Sequence, residues 1–196
     1  MRYTLKDHCL EIQQYAESDA ETYCNLSNHT YFNLNAFSSS GLDQYLTVSA
    51  KQAFLNDTEH IPQYPVDTAD TEFDFLSPAN IGERIRSFPG SAQFQTARGL
   101  NHYFLLSEKG AASPACSLVS ADGETSLLLY TDAPALVIYS GGFIDSSLSY
   151  PGDDGQAHCA FPGCAVAIEP SYAPFTGDCP YGSNRFDRLI RWEFKG

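Results

Sequence analysis

Two residues that are far apart in the sequence, a histidine and a glutamate, have the chemistry needed to move protons near neutral pH. His29 lies in the polar and aromatic segment Asn28–Leu34. An imidazole with an unperturbed pKa of about 6.5 can hold or release a proton at cellular pH. Glu169 follows Cys164–Ile168, an apolar run that is typical of a strand buried on both faces. Together they are candidates for a general acid and a general base.

The residue after Glu169 affects how that carboxylate is interpreted. Pro170 is expected to end the strand and to leave Glu169 at its mouth. Partial desolvation there would raise the pKa of the carboxyl group towards neutrality, which strengthens it as a base. A solvated glutamate at a strand end explains the local sequence equally well. For His29 taken alone, a structural histidine is the preferred interpretation.

Short strands separated by turn residues make up most of the pattern that must position these groups. The predicted strands are Leu10–Tyr15, Thr22–Leu26, Gln44–Val48, Cys116–Val119, Thr125–Tyr130, Leu136–Tyr139, Cys164–Ile168 and Leu189–Phe194. One short helix is predicted at Pro78–Ile85, capped by Ser77. Phe37–Leu42 and Tyr150–Gly163 are rich in Ser, Gly, Asp and Pro and are interpreted as surface loops. The pattern predicts one all-β domain over residues 1–196, a sandwich or barrel.

Composition narrows the classes of partner. The net charge of −13 argues against nucleic acid and anionic membranes, both of which need clustered Lys and Arg. A neutral substrate fits this charge better than a phosphorylated one. The six cysteines are spread along the chain, and no secretion signal or bilayer-length apolar run occurs, so reduced thiols and a cytoplasmic location are expected. No cofactor motif is found, since a phosphate-binding glycine loop is missing.

Six segments, in order along the chain, resemble the aldose 1-epimerase (mutarotase) family. The most specific is Asn28-His29-Thr30-Tyr31-Phe32-Asn33-Leu34, which is similar to the family's Asn-His-x-Tyr-Phe-Asn-Leu signature. The others are Ile61–Phe75, Ile81-Gly82, Gly99–Phe104, Thr131–Phe143 and Ala165–Glu169. Together they cover nearly the whole chain.

The resemblance implies a galactose mutarotase-like antiparallel β-sandwich that interconverts the α and β anomers of free hexoses. A base takes the proton of the anomeric hydroxyl while an acid protonates the ring oxygen, and the two are expected on opposite sides of the sugar. The family's acid matches His29 and its base Glu169. The expected substrate contacts are Asn28, Tyr31, Asn101 and His102, although His102 is equally well explained as structural.

Several features depart from the family pattern. Met1–Leu5 aligns with an internal strand, so the family's N-terminal portion, with an Asn-Arg sugar contact and a His-Gly-Gly segment, is missing. Asn101 replaces an Asp and Gly142 an Asn. A neutral amide cannot make a charge-assisted hydrogen bond, so weaker sugar binding is expected. Unpaired strand edges favour association, and a homodimer or a separate N-terminal chain is expected.

Three interpretations of function follow. The chain is either a working epimerase completed by a partner chain or second copy, or a non-catalytic carbohydrate-binding remnant. The retained His29 and Glu169 favour the enzyme, whereas the missing contacts favour the remnant. The third, less favoured interpretation is a zinc site at His158, Cys159, Cys164 and Cys179, whose spacing matches no tight pattern.

Overall fold

Two antiparallel sheets form the body of the protein in a computed structural model. The structure describes residues 1–36, 39–107, 112–152, 155–174 and 183–196, without the side chains of 183 and 184. The strands, in chain order from β1 to β15, are Arg2–Lys6, Cys9–Thr22, Tyr31–Phe32, Tyr45–Val48, Ala50–Asn56, Pro62–Asp67, Ala79–Asn80, Asn101–Leu106, Cys116–Val119, Ser126–Thr131, Ala135–Tyr139, Ser149–Pro151, Ala157–Cys159, Val166–Ser171 and Ser183–Lys195.

The strands divide between two main sheets that pack face to face. The first sheet has the order β1-β2-β15-β10-β9-β4-β7, and the second has the order β3-β14-β11-β8-β5-β6. A continuous apolar core lies between them, with Trp192 and Leu127 from the first sheet and Phe104 and Ile168 from the second. Apolar residues alternate along the strands, so one face of each sheet lies in this core. The predicted antiparallel β-sandwich is confirmed.

Short helices cover part of the core edge. A 3-10 helix spans Gly41–Asp43, and the α-helices are Ile81–Ser87 (α1) and Ala92–Ala97 (α2). The predicted helix at Pro78–Ile85 is displaced, because Asn80 and not Ser77 caps it, with its side-chain oxygen accepting from the Glu83 amide at 2.9 Å. None of the helices in the described ranges is long and apolar enough to cross a membrane.

Two predictions about individual segments are wrong. The strand predicted at Thr22–Leu26 does not form, since β2 ends at Thr22 and residues 23–30 have no regular structure. Pro170 does not end its strand but pairs with Leu136 inside β14, which continues to Ser171. Most described residues of the predicted surface loop Tyr150–Gly163 are exposed, and the segment contains the β12–β13 hairpin. Pro170 is tolerated because its missing N–H removes one ladder bond while the neighbouring residues keep the register.

Candidate functional site

The outer face of the second sheet carries the candidate site. In the strand register Asn101 is opposite Tyr139, Tyr139 is opposite Ala167, and Ala167 is opposite Tyr31. The next row on that face joins Tyr103, Val137 and Glu169. Directly opposed residues of antiparallel strands project to the same face, and alternate residues share a face. The sheet therefore presents both rows on the side away from the core.

His29 and Glu169 meet on this face although 140 positions separate them in the sequence. His29 Nε2 lies 3.3 Å from Glu169 Oε1, with the histidine side chain 49% exposed and the glutamate 17%. Glu169 is held in the middle of β14, and His29 lies at the end of the irregular segment that enters β3. The structure thus brings together the two residues that the sequence proposes as acid and base.

Burial controls the protonation of Glu169. Taking the carboxylate out of water raises its pKa, and the positive charge of His29 opposes this without cancelling it. The net direction is upward. A carboxylate of this kind holds a proton more strongly than an exposed glutamate, which is the property that a general base requires.

Aromatic rings surround the pair on one side. The His29 ring centroid lies 4.9 Å from that of Tyr31 and 6.1 Å from that of Tyr139, and the two tyrosine rings are 6.2 Å apart. Burial raises the pKa of the Tyr31 phenol, and the nearby Tyr139 and Glu169 add to this. No role was predicted for Tyr139. Its position directly after the buried Ile138 was the available signal, because alternation places Tyr139 on the opposite, half-exposed face.

Of the two predicted sugar contacts on β8, His102 lies in the core. His102 is buried, 1% exposed, and its Nδ1 accepts from the Asn101 amide at 3.0 Å. Its Nε2 then carries the proton and donates to Gln93 Oε1 at 3.0 Å. Burial, reinforced by the charge of His60, lowers the pKa of His102 to about 4. With both ring nitrogens engaged in the core, His102 holds β8 against α2 and is left out of the proposed sugar contacts.

Asn101 and Asn28 lie nearer the site face. Asn101 occupies the row that contains Tyr139 and Tyr31, and its carbonyl oxygen accepts from Asn56 Nδ2 at 2.8 Å. Asn28 Oδ1 accepts from the Thr30 amide at 3.3 Å and shapes the turn around His29. Asn28 therefore acts on the conformation of the segment that carries His29. A sugar contact by either residue stays a prediction.

Comparison with known proteins assigns the chain to a family. The family model for aldose 1-epimerase matches residues 1–175. The chain belongs to the aldose 1-epimerase family. It is 31% identical over 186 residues to the aldose 1-epimerase of Haemophilus influenzae, covering 93% of this chain and 52% of that protein. It is 31% identical over 151 residues to human galactose mutarotase, covering 74% of this chain and 41% of that protein.

Solved structures of family members show the same fold. The galactose 1-epimerase of Lactobacillus acidophilus superposes with a TM-score of 0.78 at 27% identity, covering 96% of this chain and 53% of that one. An aldose epimerase homologue from C. elegans superposes with a TM-score of 0.76 at 23% identity, covering 98% and 58%. The chain thus spans about half the length of the aldose 1-epimerases it matches.

An exposed aromatic ring lies near this site. The Tyr139 hydroxyl oxygen accepts from the Phe143 amide at 2.8 Å. The Phe143 ring is 42% exposed and lies between the Arg98 guanidinium, 5.0 Å from the ring centroid, and the His60 ring at 5.2 Å. The Gly141-Gly142 turn before it fixes where the ring stands.

At Gly142, where the family pattern has Asn, the neighbouring backbone leaves no room for a side chain. A Cβ at this position would lie 2.4 Å from the Arg98 carbonyl oxygen and 2.8 Å from that of Ala97. We expect Gly142→Ala to lower the free energy of unfolding by about 1–3 kcal/mol, because backbone atoms must move to admit the methyl group. Urea unfolding followed by circular dichroism measures this. Gly90→Ala is the matched control, since a Cβ there meets nothing within 4 Å, and equal stability of the two variants would contradict the steric argument.

No metal centre is formed by the described residues. They contain no group of three or more His, Cys, Asp or Glu side chains that could hold an ion. Of the residues considered for zinc, Cys159 is exposed, Cys164 is buried, and the His158 ring stacks on Tyr150 at 5.7 Å. Cys179 lies outside the described ranges. The zinc interpretation therefore has no support from the described part of the site.

Proposed function

We propose that this chain catalyses the interconversion of the α and β anomers of a free hexose, as an aldose 1-epimerase with His29 as acid and Glu169 as base. The contact between His29 Nε2 and Glu169 Oε1 at 3.3 Å carries the proposal. It places a partly buried carboxylate with a raised pKa beside an imidazole, on the half-open face of a sheet in a chain of the aldose 1-epimerase family.

The proton balance of the reaction closes within this pair. Ionised Glu169 removes the proton of the anomeric hydroxyl, and protonated His29 gives its proton to the ring oxygen as the bond from C1 to that oxygen breaks. The open aldehyde rotates about its C1–C2 bond. On closure the imidazole takes the proton back from the C5 hydroxyl and the carboxyl group returns its proton to O1. Both residues end as they began, so no cofactor enters the reaction.

The pair is adjacent, whereas the sequence led to an expectation of acid and base on opposite sides of the sugar. Adjacency suits the chemistry, because the anomeric oxygen and the ring oxygen are both bonded to C1. Two groups that address these oxygens must converge on one carbon. A sugar whose anomeric edge lies beside Tyr31 and Tyr139 would meet both groups, and the tyrosine rings offer it apolar surface.

Polarimetry tests the proposal directly. The optical rotation of freshly dissolved α-glucose and α-galactose is followed with and without the purified chain, with circular dichroism confirming that it is folded. Acceleration over the spontaneous rate is the expected result. A folded chain that gives no acceleration at any concentration would exclude a working epimerase formed by this chain.

The pH dependence of the reaction follows from the raised pKa of Glu169. The base must be ionised, so kcat/KM falls as pH decreases through the pKa of this carboxyl group in the free protein. Because burial shifts that pKa upward, we expect the acid limb at a higher pH than an exposed glutamate would give. Polarimetric rates across pH, corrected for the buffer-catalysed reaction, locate the limb. A midpoint at or below the value of about 4.3 for an unperturbed glutamate would contradict this assignment.

A second candidate is a carbohydrate-binding protein without catalysis, or one half of a two-chain epimerase. The observation that favours it is coverage, since the chain spans 52% of the Haemophilus influenzae enzyme. Saturation-transfer NMR with galactose distinguishes the cases, because a binding remnant would give a signal without accelerating mutarotation.

A cytoplasmic location stays a prediction.

The edge of the first sheet supports association with a second polypeptide. Tyr3 and Leu5 are 59% and 75% exposed, although their partners in the register are Ile12 and Leu10 on the core side of the sheet. An edge strand with an uncovered apolar face is a surface for pairing. We infer that a second copy or a separate chain covers it. Light scattering at micromolar concentration tests the homodimer, which a mass of 21.5 kDa would exclude.

A further inference from the structure

A pair of large polar side chains on neighbouring strands interrupts the core face of the first sheet. Along β15 the inward residues alternate as Phe186, Arg188, Ile190 and Trp192, and all four are buried. Arg188 is paired in the register with Gln14 on β2, and these two are 1% and 0% exposed. A charged and an amide group thus stand side by side where the pattern of both strands calls for apolar residues.

Both side chains reach across the core to the segments that carry His29 and Glu169. Arg188 Nη1 donates to the carbonyl oxygens of Leu26 at 3.3 Å and Pro170 at 3.4 Å. Gln14 Nε2 donates to the Ser27 carbonyl oxygen at 2.8 Å. Pro170 is bonded to Glu169, and Leu26 and Ser27 precede His29 by three and two residues. One guanidinium therefore bridges the backbones on either side of the acid–base pair.

Asn25 fastens the same two segments from the other side. Its Nδ2 donates to the Tyr172 carbonyl oxygen at 3.0 Å, while its Oδ1 accepts from the Tyr172 amide at 3.0 Å and from Ser171 Oγ at 3.2 Å. A side-chain amide that donates to and accepts from one backbone residue imitates a strand pairing. It replaces the regular structure that residues 23–30 lack.

The surroundings of Arg188 fix its guanidinium in one orientation. The group lies 4.3 Å from the Tyr172 ring centroid and 5.0 Å from that of Phe186, and its Nε is 3.9 Å from Asp132 Oδ1. Among the described residues its Nη2 has no hydrogen-bond partner. Apolar side chains of similar volume commonly replace a buried charge without loss of stability. Stability is therefore a weak reason for an arginine at this position.

We infer that Arg188 and Asn25 are positioning residues, which hold the His29 segment and β14 in the register that brings His29 Nε2 to Glu169 Oε1. Burial and the charge of His29 act on the Glu169 carboxyl group, and the guanidinium acts on the neighbouring backbone. The expected effect of these residues on the reaction rate rests on the proposed epimerase function.

The kinetic test uses Arg188→Met, which keeps the volume of the side chain and removes its donors. A misplacement of about 1 Å costs on the order of 100-fold in rate, so kcat should fall by about that factor with KM nearly unchanged. Arg188→Lys keeps the positive charge but loses the planar guanidinium with its several donors, so its kcat should lie between those of the parent chain and Arg188→Met. The control is Arg191→Met on the same strand, whose guanidinium packs 4.1 Å from the Tyr130 ring centroid away from the site. Its kcat should equal that of the parent chain.

A second measurement does not depend on activity. In the parent chain Glu169→Gln should change the NMR shifts of the His29 ring, because the two side chains touch. In the Arg188→Met or Asn25→Ala background the same change should shrink by more than half, since the contact is loosened. An undiminished response in both folded backgrounds would overturn the inference. If the parent chain has no mutarotase activity but the shift change still shrinks in these backgrounds, the positioning role is upheld and the proposed function is rejected.

Discussion

Glu169→Gln should slow the proposed mutarotation of α-glucose by about 100-fold to 10,000-fold, the range that a positioned general base contributes. The amide has the shape of the carboxylate but cannot accept a proton from the anomeric hydroxyl. The acid at His29 and the aromatic wall of Tyr31 and Tyr139 stay in place. Polarimetry at saturating sugar measures the loss, which should appear in kcat more than in KM because the proton is transferred in the transition state.

The control for this substitution is Glu193→Gln. Glu193 is a half-buried glutamate in an ion pair, with Oε1 3.1 Å from Lys195 Nζ, on the first sheet. It should react at the rate of the parent chain. If Glu169→Gln keeps the parent rate, Glu169 is not the base and the proposed mechanism fails.

Stability should move in the opposite direction from activity in Glu169→Gln. A carboxyl group whose pKa is raised in the folded state binds its proton more tightly there than in the unfolded chain. Its contribution to stability is therefore full below the unfolded pKa and is lost as pH rises through the folded pKa. At neutral pH the ionised Glu169 is a cost, which the neutral amide does not carry. Equal or higher stability of the variant also shows that its lost rate is not lost folding.

The sequence was sufficient for the parts of the site that depend on one ordered motif or one apolar run. The segment around His29 and the strand before Glu169 were enough to predict the sandwich and to select the two side chains that meet on its outer face, whose roles as acid and base stay predictions. Local pattern failed where a tertiary contact decided the outcome. Pro170 looks like a strand end, yet pairing with Leu136 carries β14 past it. For His102 the sequence left a sugar contact and a structural role equally open, and the contacts of its ring with Phe73 and Gln93 become visible only in the fold.

Residues 23–30 show why the contacts that support the site could not be predicted from the sequence. A strand was predicted at Thr22–Leu26, but residues 23–30 cross from one sheet to the other, where no neighbouring strand pairs with them. Its backbone carbonyls are instead satisfied by side chains such as Arg188 and Gln14, which lie far away in the sequence. Since every buried backbone group needs a partner, such side chains can be found only when the partner segment is known. The available signal was a polar residue at an inward position of β15.

Trp192→Ala should cost about 3–5 kcal/mol of unfolding free energy, the range for truncating a buried large aromatic residue. Trp192 is 1% exposed in the core between the sheets, opposite Leu129 in the register, and its ring lies 4.8 Å from that of Phe32. Phe32 follows Tyr31 in β3, so the same cavity would undermine the strand that carries the aromatic wall. With total stabilities of about 5–15 kcal/mol for domains, a large part of the chain would be unfolded.

Trp192→Phe separates the loss of stability from the loss of support for β3. It keeps a ring against Phe32 and removes an indole N–H that has no hydrogen-bond partner among the described residues, so its cost should be well below that of alanine. Because the chain has one tryptophan, unfolding of both variants is followed by circular dichroism, while the parent is followed by fluorescence as well. We expect the phenylalanine variant to retain mutarotation per folded molecule. If alanine costs less than about 1 kcal/mol, the packing of Trp192 on Phe32 does not support the site, and β3 must be held by its pairing with β14.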